Sequence, residues 1–328
     1  MAGKPRVFVA RKIPAAGLQR LQAAAEITVW PGAMAPPPEA LLAQLAGCTG
    51  LLSLFTDRVD GALLDAVGPQ LRVVSQMAVG VDNIDLDACT ARGIPVGHTP
   101  GVLTEATADL AWALLLAAAR RVVEGERYVR SGGWKTWDPL FMLGLDVHGA
   151  TLGCVGFGRI GQAVARRAQG FGMRVLYAQP RALVAAEAGA AQHVPLETLL
   201  RECDYVSLHM PLNAQTRHMI GTPQFELMKR SAVLINTARG AIVDPQALYA
   251  ALQSGRIAHA ALDVTDPEPI LMDSPLLQLD NLTITPHVGS ATLQTRDRMA
   301  LLAADNMLAG LAGVRMPHCA NPQVYAPG

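Results

Sequence analysis

Arg239, Glu268 and His287 are the side chains of this 328-residue chain whose types and spacing best suit shared chemistry. Each follows a short apolar run of the kind that forms a buried parallel strand. The stretches are Leu234-Ile235-Asn236-Thr237-Ala238-Arg239-Gly240, Asp263-Val264-Thr265-Asp266-Pro267-Glu268-Pro269 and Thr285-Pro286-His287-Val288-Gly289-Ser290, each broken by Gly or Pro. In open α/β sheets the carboxyl ends of the strands form the ligand crevice. A guanidinium there can hold an acid through its planar fork. An imidazole, with an ordinary pKa near ~6.5, can give and take a proton around neutrality. A carboxylate paired with it would raise that pKa and fix the tautomer. Hydride transfer to a 2-keto acid calls for this set, because negative charge develops on the carbonyl oxygen and must be met by a proton. Taken singly, each residue has an ordinary alternative: a surface ion pair, a solvated carboxylate, a packed histidine. Three such residues at strand ends make coincidence the weaker explanation.

A glycine loop supplies the second ingredient. Gly156-Phe157-Gly158-Arg159-Ile160-Gly161 follows the strand Leu152-Gly153-Cys154-Val155 and opens a helix from Gln162 to Gln169. A lone GxGxxG means little; one placed between a strand and a helix, with another strand about twenty residues on, reads as a dinucleotide loop. Its backbone N–H groups meet the pyrophosphate at a helix N-terminus. An NAD-preferring loop should be answered by an acid at the end of the second strand. Here Arg174-Val175-Leu176-Tyr177-Ala178 runs into Gln179-Pro180-Arg181, with no carboxylate before Glu187. Gln179 can bond a ribose without repelling a 2′-phosphate, and Arg181 can pair with one. The expected cofactor is therefore NADP, with NAD as the alternative and a solvated Arg181 as the competing reading.

The elements that must position these residues alternate short apolar strands with Ala/Leu-rich helices, the pattern of helix-wrapped parallel sheets. In the first part, residues 7–10, 26–29, 50–54 and 71–75 read as strands, with helices at 15–25 and 38–45. After Thr99-Pro100-Gly101 a long helix is expected from about Thr104, its N-cap, to Arg121, crossing into a second domain. Residues 131–149 lack periodicity and read as a loop whose Trp134, Trp137, Phe141 and Met142 are available for burial in core or subunit interface, with direct contact to a substrate as the lesser alternative. Strands are then expected at 152–157, 173–178, 205–210, 232–235, 258–263 and 282–285. A final helix, 293–311, should return to the first domain. The expected fold is α/β: two doubly wound parallel-sheet domains, Rossmann- or flavodoxin-like, with a cleft between them. Residues 1–99 with 288–328 form the substrate domain, and 100–287 the dinucleotide-binding one.

Composition removes other classes. Apolar residues make up 51% and charged residues 16%, as in a globular protein and unlike a disordered one. With 27 basic and 27 acidic side chains the formal net charge is zero, so neither nucleic acid nor an anionic membrane is an expected partner. The longest apolar stretch, 106–119, is interrupted by Asp109 and falls short of the roughly 20 residues a bilayer requires. The N-terminus is too charged for a signal peptide. Five scattered cysteines without a CxxC pair read as reduced thiols of a cytoplasmic protein, and neither they nor the eight histidines show metal-ligand spacing.

The chain resembles the D-isomer-specific 2-hydroxyacid dehydrogenase family, in particular its glyoxylate/hydroxypyruvate reductase branch, from about Leu71 to Asn321. The resemblance rests on the three stretches above, on the glycine loop, and on Met77-Ala78-Val79-Gly80-Val81-Asp82-Asn83-Ile84-Asp85. It implies that Arg239, Glu268 and His287 are the catalytic trio, with His287 the proton donor, and that backbone N–H groups of Val79 and Gly80 hold the substrate carboxylate beside Arg239. It implies too that Asp263 takes the nicotinamide carboxamide. Thr104, the turn from Gly158 through Arg159 to Ile160, and the stretch Thr237-Ala238-Arg239 would line the cofactor. The family is usually homodimeric, with the long helix and the 131–149 loop at the interface. Gln179 and Thr265-Asp266 depart from the family pattern; only the first bears on cofactor choice. The chain ends too soon after His287 for the regulatory domain of many phosphoglycerate dehydrogenases. Formate dehydrogenase is disfavoured, since Gln stands there where Glu268 stands here. The alternatives are a dehydrogenase of a bulkier D-2-hydroxy acid and, in another class, a nucleotide-sensing corepressor-like binding protein.

Overall fold

The computed structural model describes residues 3–325, apart from the side chain of Ala185. The chain divides into two compact units: unit 1 comprises residues 1–103 and 290–328, and unit 2 residues 104–289. The boundaries lie slightly later than expected, because the long helix begins at Thr104 and the turn after His287 is tied to unit 2 by Asp263.

Unit 1 contains β1 (Arg6–Val9), α1 (Ala15–Gln22), β2 (Glu26–Val29), α2 (Pro38–Leu45), β3 (Gly50–Ser53), α3 (Gly61–Val67), β4 (Val73–Gln76), α4 (Leu86–Ala91) and β5 (Val96–Gly97). Its strands form one sheet in the order β2-β1-β3-β4-β5, with parallel pairings throughout. Helices on both faces explain why β1, β3 and β4 read as unbroken apolar runs: Phe8, Leu51, Leu52, Val73 and Val74 are fully buried. Asp60 and Asp85 start α3 and α4 by accepting the Leu63 and Ala88 N–H groups, a capping signal that the strand-and-helix pattern did not single out.

Unit 2 opens with α5 (Thr104–Ala119) and α6 (Val122–Arg130). It continues with β6 (Thr151–Val155), α7 (Arg159–Ala168), β7 (Arg174–Ala178), α8 (Ala185–Ala188), β8 (Gln192–His193), α9 (Leu196–Glu202) and β9 (Tyr205–Leu208). Then come α10 (Thr222–Leu227), β10 (Val233–Asn236), α11 (Pro245–Gln253), β11 (His259–Leu262) and β12 (Leu282–Ile284). The order is β12-β11-β10-β9-β6-β7-β8, again parallel throughout. The strand order reverses between β6 and β9, which makes that gap the topological switch point. The last helix, α12 (Leu293–Leu311), belongs to unit 1 and packs on α1, β3 and β4. Thr292 caps it by accepting the Thr295 N–H.

Two expectations need correction. Thr104 is the first residue of α5 and not its N-cap. The long helix stops at Ala119, and Arg121, at φ 53°, turns the chain into a second helix, α6. Of the two fates expected for the aromatics of 131–149, the core of this chain is not the one taken: Trp134 is 63% exposed, Trp137 79% and Phe141 43%, beside exposed Leu140 and Leu143. Among the described residues, no helix is long and apolar enough to cross a membrane.

Candidate active site

Neighbouring strands carry the three candidate side chains of unit 2. Arg239 follows β10, Glu268 follows β11 and His287 follows β12, and these strands lie side by side in the sheet. Adjacent strands are about 4.8 Å apart, so residues a few positions beyond their ends share one neighbourhood. Each loop is held by its own device.

Buried Asn236 shapes the Arg239 turn, accepting the Ala238 N–H at 3.0 Å and donating to the Arg239 carbonyl at 2.9 Å. Gly240 then lies flat against the next loop. A Cβ there would stand 1.9 Å from the Thr265 carbonyl oxygen, so no other residue lets the β10 and β11 loops approach so closely. The Glu268 loop carries two cis prolyl bonds, Asp266–Pro267 and Glu268–Pro269, and the Thr265 hydroxyl donates to the Pro267 carbonyl. Asp266 is turned towards Arg217 and His218.

His287 stands at φ 55°, and its N–H donates to the Asp263 carbonyl. The Asp263 carboxylate accepts from the Thr285 hydroxyl at 2.6 Å, the Val288 N–H at 2.8 Å and the Gly289 N–H at 2.7 Å. It therefore builds the turn that presents the imidazole, a task the sequence did not disclose. His287 Nδ1 meets Glu268 Oε1 at 2.5 Å, with both side chains about three-quarters buried. That contact commits Nδ1 as the donor to the carboxylate.

The glycine loop lies at the switch point, between β6 and α7. Gly156 takes φ 85° with its α-carbon face against the His209–Met210 backbone, where a Cβ would be 2.7 Å from the Met210 nitrogen. Gly158 caps α7 without any side-chain bond, and open space surrounds the position its Cβ would fill. The first N–H groups of α7, at Arg159, Ile160 and Gly161, thus face a cradle with the field of a helix N-terminus. The residues present fit a dinucleotide pyrophosphate.

Gln179, at the end of β7, accepts the Phe157 N–H at 3.2 Å and donates to the Arg181 carbonyl at 2.6 Å. Its amide is thereby engaged with backbone, joining the glycine loop to the Arg181 turn. The exposed Arg181 guanidinium has no partner among the described residues. Thr104 begins α5, and the Thr237 hydroxyl is buried without a partner, as are Ser207 Oγ and His209 Nε2. Burial pushes the His209 imidazole down to about 4, so it is neutral beside the loop. Sequence reading passed over Ser207 and His209; the only signal was their place at the end of the strand next to β6.

In unit 1, Val79 and Gly80 follow β4. The Ala78 carbonyl accepts the Thr99 N–H, the Val79 carbonyl faces His98 Nδ1 at 3.0 Å, and the Gly80 carbonyl accepts from Gln76 Nε2 at 2.6 Å. All three carbonyls are engaged. Among the described residues the Val79 and Gly80 N–H groups have no acceptor. Two adjacent, half-buried backbone donors of that kind suit an anionic group.

Comparison with known proteins identifies a family. The family described as "D-isomer specific 2-hydroxyacid dehydrogenase, NAD binding domain" matches residues 112–289. The chain is 52% identical over 324 residues to a glyoxylate reductase of Korarchaeum cryptofilum, covering 98% of this chain and 97% of that one. Among solved structures it is similar to the TT0316 protein from Thermus thermophilus, with 49% identity and a TM-score of 0.89 over 96% of this chain and 99% of that one. It is also similar to an NADPH-dependent glyoxylate/hydroxypyruvate reductase from Sinorhizobium meliloti, solved with NADP and malonate, at 32% identity and a TM-score of 0.86 over 98% of each. With motifs, sheet orders and near full-length relatives in accord, the chain belongs to the D-isomer-specific 2-hydroxyacid dehydrogenase family.

Proposed function

We propose that this protein is an NADPH-dependent reductase of small 2-keto acids, converting glyoxylate to glycolate and hydroxypyruvate to D-glycerate. The Glu268–His287 contact carries the reading, because it holds a proton donor ready in the unit that also has the dinucleotide loop. The cofactor, when bound, supplies the hydride that the carbonyl carbon receives. The work of the chain's own residues is to bind, orient and protonate. Gly156, Gly158, Arg159, Ile160 and Gly161 hold the pyrophosphate, with Thr104, Thr237 and Ala238 lining the remainder. Asp263 takes the carboxamide with the acceptor capacity left after its three bonds. Arg239 and the Val79 and Gly80 N–H groups hold the substrate carboxylate.

His287 gives the Nε2 proton to the carbonyl oxygen as charge develops there. Glu268 stabilises the imidazolium beforehand and keeps the tautomer on return. Gln179 leaves a 2′-phosphate unopposed, and Arg181 supplies its countercharge, which is why NADPH is preferred over NADH. Relatives named glyoxylate reductase support the substrate class. The exposed apolar side chains Trp134, Trp137, Leu140 and Leu143 support a homodimer, since a lone chain would leave them to water. A reducing cytoplasm suits the buried thiols Cys48, Cys89, Cys154 and Cys203.

Steady-state reduction of glyoxylate, hydroxypyruvate and the bulkier 2-oxoisocaproate, each with NADPH and NADH, tests the proposal. The highest kcat/KM is expected for the two small acids with NADPH. A preference for 2-oxoisocaproate would move the protein to another D-2-hydroxy acid. Nucleotide binding without any turnover would make it a sensor.

A further inference from the structure

The segment bearing the Val79 and Gly80 donors is fastened by a side chain that no motif announces. Gln76, the last residue of β4, is fully buried. A buried carboxamide is costly unless its two donors and two acceptor lone pairs are met. At Gln76 all four are met. Its Oε1 accepts from the Ser53 hydroxyl at 3.2 Å and from Asn83 Nδ2 at 2.9 Å, while its Nε2 donates to Asn83 Oδ1 at 2.8 Å and to the Gly80 carbonyl at 2.6 Å.

Gln76 and Asn83 therefore face each other amide to amide through two antiparallel bonds. The orientation is fixed from both ends: Gly80 presents a carbonyl that only an N–H can satisfy. Asn83 Nδ2 faces the Leu54 and Asp57 carbonyls, at 3.2 and 2.6 Å, which likewise require a donor. Neither amide can flip without leaving carbonyls unmet in a buried place.

We propose that Gln76, through its pairing with Asn83, is a positioning residue for the substrate carboxylate: it holds the Gly80–Val81 peptide by its carbonyl, so that the segment carrying the Val79 and Gly80 N–H groups is anchored on its carboxyl side and those donors stay pointed at the anion. The inference rests on the reading of those N–H groups as the carboxylate site. A peptide unit is rigid, so fixing a carbonyl fixes the N–H of the following residue in the same plane. The Ala78 carbonyl, held by the Thr99 N–H, thus sets the Val79 N–H, and the Val79 carbonyl, held at His98 Nδ1, sets the Gly80 N–H. Gln76 fixes the next plane, Gly80–Val81, and so restrains the glycine's rotation on its carboxyl side. Such preorganised donors cost no rearrangement when the substrate arrives.

The test uses Gln76→Met, which keeps length and removes both polar atoms, with Gln76→Glu as a second variant that keeps an acceptor and loses the donor to Gly80. In the full-length protein, KM for glyoxylate should rise about tenfold or more in either variant, as expected for misaligned hydrogen bonds to a charged group. The Kd for NADPH, read by fluorescence titration, should stay within about twofold, because the glycine loop lies in unit 2. Hydrogen exchange in a peptide spanning residues 77–83 should accelerate. An unchanged KM in a folded variant, or KM and NADPH Kd rising together with a lower Tm, would overturn the proposal and leave the pair a structural tie. If the unaltered protein turned over no 2-keto acid, the carboxylate reading itself would fall; unchanged exchange in residues 77–83 would then refute the clamp independently. Wild-type turnover with an unmoved KM in both variants would refute the clamp alone.

Discussion

Unit 1 and unit 2 are both doubly wound parallel sheets, yet on the proposed reading they provide for the reaction by different means. Unit 2 offers side chains: Arg239, Glu268 and His287 stand beyond three adjacent strands, each on a loop shaped by its own bonds. Unit 1 offers backbone: Val79 and Gly80 present N–H groups, and the polar side chains nearby face inward to hold their carbonyls. A reactive side chain needs a fixed base and some freedom to exchange protons. A backbone donor has no freedom to give up and depends entirely on what grips the peptide. The difference explains where the buried polar networks lie. In unit 2 the network around Asp263 supports a turn that carries an imidazole; in unit 1 the network around Gln76 supports the donors themselves.

The comparison is most easily broken at Glu268. Replacement by Gln should lower kcat for reduction about tenfold or more, within the range of general acid catalysis, because the imidazolium loses its carboxylate. A kcat that stays within about twofold of the unaltered protein in Glu268→Gln would show that the 2.5 Å contact does not govern the proton.

At the cofactor end of unit 2, Arg181→Ala should weaken NADPH about tenfold and leave NADH within a factor of two, as measured by their Kd values. This is the size expected for one partly solvated charge-assisted bond. Equal weakening of both would show that Arg181 does not face a 2′-phosphate and would return cofactor choice to Gln179.

Acid sensitivity gives a further prediction for unit 2. Burial lowers His209 and His259, both in unit 2, from 6.5 to about 4. Below 6.5 the unfolded chain takes up protons that the folded one refuses. Stability should therefore decline between about pH 6.5 and 4, by on the order of 3 kcal/mol for each imidazole. Replacing His259 with Gln, which can keep a bond to the Thr283 hydroxyl, should make that decline shallower in denaturant titrations. Parallel slopes in the two proteins would place the acid sensitivity elsewhere.

Much of unit 2 was legible in the sequence because its signals are local. A GxGxxG loop between a strand and a helix occupies consecutive positions, and Arg239, Glu268 and His287 each follow an apolar run ending in Gly or Pro. The helix Leu293–Leu311 lies where its periodicity placed it. What stayed hidden depends on contacts through space. The two-residue strands β5 and β8 are too short to show a period. The break between α5 and α6 rests on one residue, Arg121, adopting a left-handed conformation. Asp263 was expected to face a cofactor, and nothing in its neighbourhood foretold three bonds to residues 285–289. Gln76 and Asn83 are ordinary polar letters seven positions apart; only the turn after β4 brings their amides face to face. The exposed Trp134 and Trp137 show the opposite limit, since their apolar character does not say whether a core or another chain covers them.

The most direct test of the division between units is to measure NADPH oxidation with hydroxypyruvate and NADPH affinity in the same preparation of His287→Asn. Loss of about a thousandfold in kcat with an unchanged NADPH Kd is the expected result, since the acid is removed while the glycine loop is left intact. Turnover within tenfold of the unaltered protein would contradict the account, because some other group would then be delivering the proton.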